Sequence, residues 1–275
     1  MTGMKPAIST VCSLDASLGT ILEDYAAGHV DAIDLWLGHA DAFLKEYDVA
    51  ALKDRLAERG IAAIAASFQG GLLISQGDAR REHWSHFDTR LALCRDLGIP
   101  VLVVAGDAFG PLTSEDLGRL SMSLREAAKR AAAVGIRLAL EFDSRASFPN
   151  NLQSAVAVVE EVGSPALGIC LDWFHFTVGP SKPLDLGLLS NDNLAHVQLS
   201  DIADVPREMA GDADRILPGE GSSPPDELVA RLKEIGYSGA VAAELQNPML
   251  WRVPPRQFGE IAMTSLRRLL GLAAM

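Results

Sequence analysis

Residues 131–142 read AAAVGIRLALEF, and the grammar of the fold is compressed into them. Ala131 and Val134 close a stripe that begins at Leu117 and returns through Leu120, Leu124 and Ala127, a three-to-four residue period that marks a helix with one apolar face. Gly135 then supplies the left-handed residue on which helices commonly end. From Ile136 the period vanishes, and a short apolar run with a β-branched start reads as a buried strand. That strand ends on an acid, Glu141.

The same punctuation recurs at Arg59-Gly60-Ile61, Leu97-Gly98-Ile99 and Ile235-Gly236-Tyr237. Working outward from it, strands are predicted at 7–12, 32–36, 61–67, 100–105, 136–142, 167–172, 194–200 and 240–245. Helical stripes lie between them, such as Phe87, Leu91, Cys94 and Leu97, or Leu228, Leu232 and Ile235. A last helix over 255–270 turns Phe258, Ile261, Leu266, Leu269 and Leu270 inward. Alternating strands and helices imply a parallel sheet. Eight strands favour closure into a (β/α)8 TIM barrel of the α/β class over an open sheet, and the absence of a low-complexity linker makes residues 1–275 a single domain. Two longer excursions, 67–79 and 201–225, follow strands and belong to the C-terminal rim, where barrel active sites are built.

Composition narrows the function classes. The chain has 275 residues, 48% hydrophobic and 22% charged, as expected of a soluble enzyme. Its net charge of −12 disfavours nucleic acid and anionic membranes, whose affinity for proteins comes from neutralised phosphates. Cys12, Cys94 and Cys170 lie in apolar surroundings with no CxxC partner, which predicts buried, reduced thiols. Residues 1–10 lack a signal-peptide pattern, and no apolar run approaches the ~18 residues of a membrane helix. The expected location is the cytoplasm.

Four predicted strands finish on a polar side chain set in apolar sequence: Glu141, Asp172, Gln198 and Glu244. They are separated by 31, 26 and 46 residues, near multiples of a βα unit, which sets one at the same level on each of four consecutive strands. A single such acid reads as a hydrogen-bonded core residue. Three carboxylates converging on one cavity would repel one another and raise their own pKa values, a cost that a divalent cation removes. With Gln198 binding through its carbonyl, all four donors are oxygen, which suits Mn²⁺ first and Mg²⁺ next, with positions open for substrate oxygens.

Segments 138–142 (LALEF), 167–176 (LGICLDWFHF), 196–203 (HVQLSDIA), 214–221 (DRILPGEG) and 233–245 (KEIGYSGAVAAEL) resemble the xylose isomerase-like barrel superfamily of sugar isomerases, epimerases and dehydratases, with greatest likeness to proteins of the inosose (2-keto-myo-inositol) isomerase type. The resemblance is carried by the second half of the chain. It implies that Glu141, Asp172 and Glu244 are metal carboxylates, that His175 meets a substrate oxygen, and that Arg215 reaches the substrate from the loop after the seventh strand. Gln198 stands where many members have a histidine ligand, and relatives that eliminate water from a cyclic keto acid look similar here. The resemblance also implies a homo-oligomer, dimer or tetramer.

Chemistry then suggests roles. A cation bridging a carbonyl and a neighbouring hydroxyl acidifies the α C–H, so Glu141 and Glu244 would remove and return a proton through an enediolate. Return of the proton isomerises or epimerises a keto-sugar or keto-polyol, whereas loss of a β-leaving group makes the same site a dehydratase or a β-eliminating lyase of keto-glycosides. His175 serves as donor or proton carrier, and Arg215 pins a substrate oxygen. Trp36 and Phe68 end strands where they either wall a sugar ring or fill core, and Gln69 is a further substrate-binding candidate. The Pro218-Gly219-Glu220-Gly221 turn lacks the Lys and Ser/Thr of a phosphate loop, so the expected substrate is unphosphorylated. A DNA-repair nuclease would need more histidine ligands than six scattered ones and a basic groove. A non-catalytic subunit would have no use for these metal residues.

Overall fold

All four glycine stops take the left-handed conformation: φ is 64° at Gly60, 73° at Gly98, 75° at Gly135 and 68° at Gly236. Each thus ends a helix where a side chain would be strained, and a strand follows within a few residues. His29 adopts the same conformation (φ 60°) after the first helix, an uncommon place for a residue with a Cβ.

The computed structural model describes residues 3–272. Its parallel strands are β1 (Lys5–Ser9), β2 (Ala32–Trp36), β3 (Ala62–Gln69), β4 (Val101–Gly106), β5 (Arg137–Phe142), β6 (Leu167–Asp172), β7 (Leu194–Leu199) and β8 (Ala240–Ala243). They form one closed barrel in the order β1-β8-β7-β6-β5-β4-β3-β2. The helices are α1 (Leu18–Ala27), α2 (Leu37–Phe43), α3 (Val49–Glu58), α4 (Gly77–Leu97), α5 (Ser114–Ala133), α6 (Leu152–Val162), α7 (Trp173–Val178), α8 (Asp226–Glu234) and α9 (Pro255–Leu270). None of the described helices is long and apolar enough to cross a membrane.

Some boundaries move for local reasons. β1 stops at Ser9 rather than at residue 12, because residues Thr10–Ser13 turn into a short 3-10 helix. β8 stops at Ala243, although the Glu244 N–H still reaches Leu199 O at 2.9 Å. The excursion predicted at 201–225 contains a two-stranded antiparallel ribbon, Asp201–Ile202 with Arg215–Ile216. Two apolar residues assigned to inner faces are outside: Leu117 is 41% and Ile261 44% exposed. In α9 the buried arc runs through Phe258, Ala262, Leu266 and Leu270, and Ile261 lies about 100° round the helix from Ala262.

The chain divides into two compact units, Met1–Ala65 with Val197–Met275, and Ala66–His196. In the first, Ala7, Ala32 and Ala242 form a fully buried layer with Ile64 packed on it. In the second, Val103, Ala139 and Cys170 do the same with Val101 and Ala195. Such layers of inward-facing residues fill a barrel interior with side chains and leave the chemistry to the strand ends.

Candidate active site

Within the unit Ala66–His196, β5 and β6 run side by side with Glu141 in register with Cys170, so Glu141 and Asp172 sit near the ends of paired strands. Asp172 is fully buried. It is also the cap of α7: its Oδ1 accepts the Phe174 N–H at 2.9 Å, and the start of the helix stabilises the negative charge. One turn into α7, His175 is 5% exposed and turns Nε2 toward both acids, 3.7 Å from Asp172 Oδ2 and 3.9 Å from Glu141 Oε1. One donor atom from each of Glu141, Asp172 and His175 falls within a group no wider than 4.8 Å, a spacing a single cation can span.

The other imidazole nitrogen faces Ser144. The Ser144 N–H points at Nδ1 from 3.4 Å, and Ser144 Oγ lies 3.1 Å away. A backbone N–H can only donate, so in the neutral ring Nδ1 is the acceptor and the proton sits on Nε2, facing the carboxylates. In that tautomer His175 is a hydrogen-bond donor rather than a ligand, whereas Glu141 and Asp172 offer oxygen. Asp143 stands 3.6 Å from Nδ1. Burial pushes its carboxyl up, but hydrogen bonds from Arg145, and the positive charge His175 carries when protonated, outweigh this and hold it below the usual range.

Gln69 is buried at the end of β3, and both ends of its amide are engaged nearby: Oε1 accepts from Arg90 Nη1 at 3.0 Å and Nε2 donates to Gly70 O at 2.6 Å.

The unit formed by Met1–Ala65 and Val197–Met275 holds the remaining candidates. Gln198 is fully buried, and its Nε2 donates to Asp34 Oδ2 at 3.2 Å. This orients the amide so that its nitrogen is directed to Asp34 and its carbonyl oxygen elsewhere. Glu244, 6% exposed, accepts from Gln246 Nε2 at 3.3 Å through Oε1. Its backbone is clamped by Cys12, whose Sγ accepts the Leu245 N–H at 3.2 Å and donates to Ala243 O at 3.4 Å. Burial drives the Cys12 thiol far above its ordinary pKa, so it remains a neutral structural group. Arg215 is among the largest fully buried side chains; its Nε donates to Asp212 Oδ1 at 3.1 Å, and its carbonyl accepts from Asn247 Nδ2 at 3.0 Å. Trp36 packs on the start of its own helix, edge-on to His39 at 5.1 Å, and with Phe43, Tyr47 and Arg55 lines a cavity of about 510 Å³.

Sequence reading passed over Asp34, Asp143, Ser144 and the clamping role of Cys12. Asp34 had a visible signal: the β2 sequence AIDLW sets an acid inside an apolar strand just as LALEF does. Ser144 had none, since a serine after a strand is ordinary until the fold brings His175 to it.

The family model described as xylose isomerase-like TIM barrel matches residues 24–268. The inosose isomerase of Halalkalibacterium halodurans is 30% identical over 181 residues, which cover 63% of this chain and 62% of that protein. The 3-dehydroshikimate dehydratase of Pseudomonas putida is 24% identical over 273 residues, 96% of this chain and 41% of that one. The chain thus spans less than two thirds of the length of both. Among solved structures, the IolI protein with a binding zinc atom superposes with a TM-score of 0.91 at 22% identity, covering 99% of this chain and 100% of that one. D-psicose 3-epimerase in the presence of D-fructose gives 0.78 at 23% identity, covering 98% and 100%.

Proposed function

Since the chain belongs to the xylose isomerase-like TIM barrel family, we propose that it is a divalent-metal-dependent isomerase or epimerase of an unphosphorylated keto-sugar or keto-polyol. The observation that carries this reading is the buried group of Glu141, Asp172 and His175 at the ends of β5 and β6. Relatives named inosose isomerase and D-psicose 3-epimerase support the substrate class.

Glu141, Asp172, Gln198 and Glu244 are the proposed ligands, and their oxygen donors favour Mn²⁺, then Mg²⁺. Zinc is the ion named for the IolI structure. The ion, when bound, supplies Lewis acidity that makes a C–H beside a carbonyl acidic. Glu141 removes that proton and Glu244 returns one, while His175, with Nε2 protonated, donates to a substrate oxygen. Ser144 keeps the imidazole in that tautomer. Arg215 is the proposed anchor for a further substrate oxygen, and Trp36 and Gln69 stand as outer substrate-binding candidates. The protein is proposed to act in the cytoplasm as a homo-oligomer, dimer or tetramer.

A lyase on the same chemistry is the second reading, favoured by the dehydratase relative that spans 96% of this chain and by Gln198. Incubation in D₂O with Mn²⁺ and, in turn, 2-keto-myo-inositol, D-psicose and 3-dehydroshikimate separates the two. Deuterium at the carbon next to the carbonyl of a recovered or isomerised sugar is expected; loss of water from 3-dehydroshikimate alone selects the lyase. No exchange and no elimination, with metal bound, refutes both.

A further inference from the structure

The end of β3 and the first residues past β4 build a feature that the proton chemistry does not use. The Gly71 N–H donates to Asp107 Oδ2 at 2.6 Å, and Asp107 makes no hydrogen bond to any other described residue, so Oδ1 remains an acceptor. A Cβ on Gly70 would lie 3.0 Å from Asp107 Oδ2 and 3.6 Å from Phe68 Cε2, so carboxylate and ring lie close together beside one glycine. Gly71 has no room for a side chain either: at φ 78° its Cβ would meet the His83 ring at 2.4 Å. The two glycines let the chain hug the carboxylate. Phe68 is 44% exposed, so this large aromatic residue beside the carboxylate is not part of the core. An exposed aromatic ring beside a fixed acceptor is what a binding surface shows and a folding core does not.

The strand register gives this feature its place. Ala105 pairs with Glu141 and Gly106 with Phe142. Asp107 therefore lies two residues beyond the level of Glu141, roughly 6–7 Å further toward the C-terminal ends of the strands. That step is about the length of one sugar ring.

We propose that Phe68 and Asp107 form a second-ring subsite, so that the substrate class is a keto-sugar bearing a glycosidically linked second sugar. The apolar C–H face of that ring lies on Phe68, and its hydroxyls donate to Asp107 Oδ1. The identity of the first ring rests on the function proposed above; the subsite itself does not.

Saturation-transfer NMR on the full chain with Mg²⁺, using cellobiose, maltose and D-glucose as probes, tests it. Both disaccharides are expected to bind at least about tenfold more tightly than glucose. Phe68→Ala and Asp107→Asn are expected to abolish that advantage without changing glucose binding. Glu141→Gln should retain it, so a failure of the proton chemistry leaves this result readable. Phe68→Leu, which keeps the apolar volume and removes the ring face, covers the case in which the alanine variant does not fold. The subsite is overturned if disaccharides bind no better than glucose, if the variants at 68 and 107 leave their affinity within about twofold, or if only Glu141→Gln weakens them.

Discussion

The two compact units both bury acids near strand ends, and they settle those charges by different means. Between residues 66 and 196, Glu141 and Asp172 gather about the His175 imidazole, with one donor atom of each residue within 4.8 Å, and Asp172 accepts the Phe174 N–H at the start of α7. In the other unit each acid has a dedicated protein donor: Asp34 takes the Gln198 amide, Glu244 the Gln246 amide, and Asp212 the fully buried Arg215. The first arrangement concentrates negative charge and so favours an ion. In the second, the bonds that hold Asp34 and Asp212 favour a fixed structure, and Gln198 and Glu244 are the two side chains there proposed to reach the ion. Function and stability are thereby expected to respond to mutation differently in the two places.

The largest effect is expected in the first. Glu141→Gln and Asp172→Asn should each lower turnover by about 10³-fold or more, as loss of a positioned acid–base or charge-bearing group does. Mn²⁺ binding, followed by isothermal titration, should weaken in parallel. Without metal, both variants should melt no lower than the parent, since each removes like-charge repulsion. A lower melting temperature in the metal-free variants would show that the pair is structural and dissolve the contrast.

Arg215→Met inverts the expectation. Removing a buried guanidinium strands its partner charge, which costs about 3–5 kcal/mol when the partner is buried. Asp212 keeps 24% of its side-chain exposure, so the lower end is expected, about 3 kcal/mol by urea unfolding. Asp212→Asn, which takes this countercharge from a fully buried guanidinium, should cost at least as much. A clearly smaller cost for Asp212→Asn would mean that the packing of the guanidinium, and not the ion pair, holds this region.

Much of this contrast was legible in the chain, and the division follows range. Helix stops and strand starts are local events: a glycine at Gly60, Gly98, Gly135 or Gly236 ends a helix by its own backbone freedom, and the pattern announced the barrel. An acid at the end of an apolar strand is also local, which is why Glu141, Asp172 and Glu244 could be named. Partners are not local. The bond from Gln198 to Asp34 joins residues 164 apart, and the Cys12–Leu245 bond joins residues 233 apart; no period or spacing encodes either. Side-chain direction was the other gap. Gln69 sits where a substrate contact was expected, yet Arg90, on α4 and 21 residues further along the chain, claims its oxygen. Ile261 and Leu117 fit an apolar stripe but face outward, because a helix buries a narrower arc than its composition suggests.

The smallest effect concerns His39, which belongs to the structural side of the comparison. It is 5% exposed, with Nδ1 3.1 Å from Thr10 Oγ1 and Nε2 3.3 Å from Leu14 O. Burial lowers its pKa from the ordinary 6.5, and the hydrogen bond to the Leu14 carbonyl offsets only part of that. Because the folded protein resists protonation here and the unfolded chain does not, the unfolded state binds more protons as pH falls below about 6.5. Stability is therefore complete above that value and declines on acidification until the folded imidazole itself protonates. His39→Asn keeps a polar group beside Thr10 and removes the titration. Urea unfolding at pH 7.5 and 5.5 is expected to show a smaller acid-side loss in the variant than in the parent. Equal losses would place the acid sensitivity elsewhere.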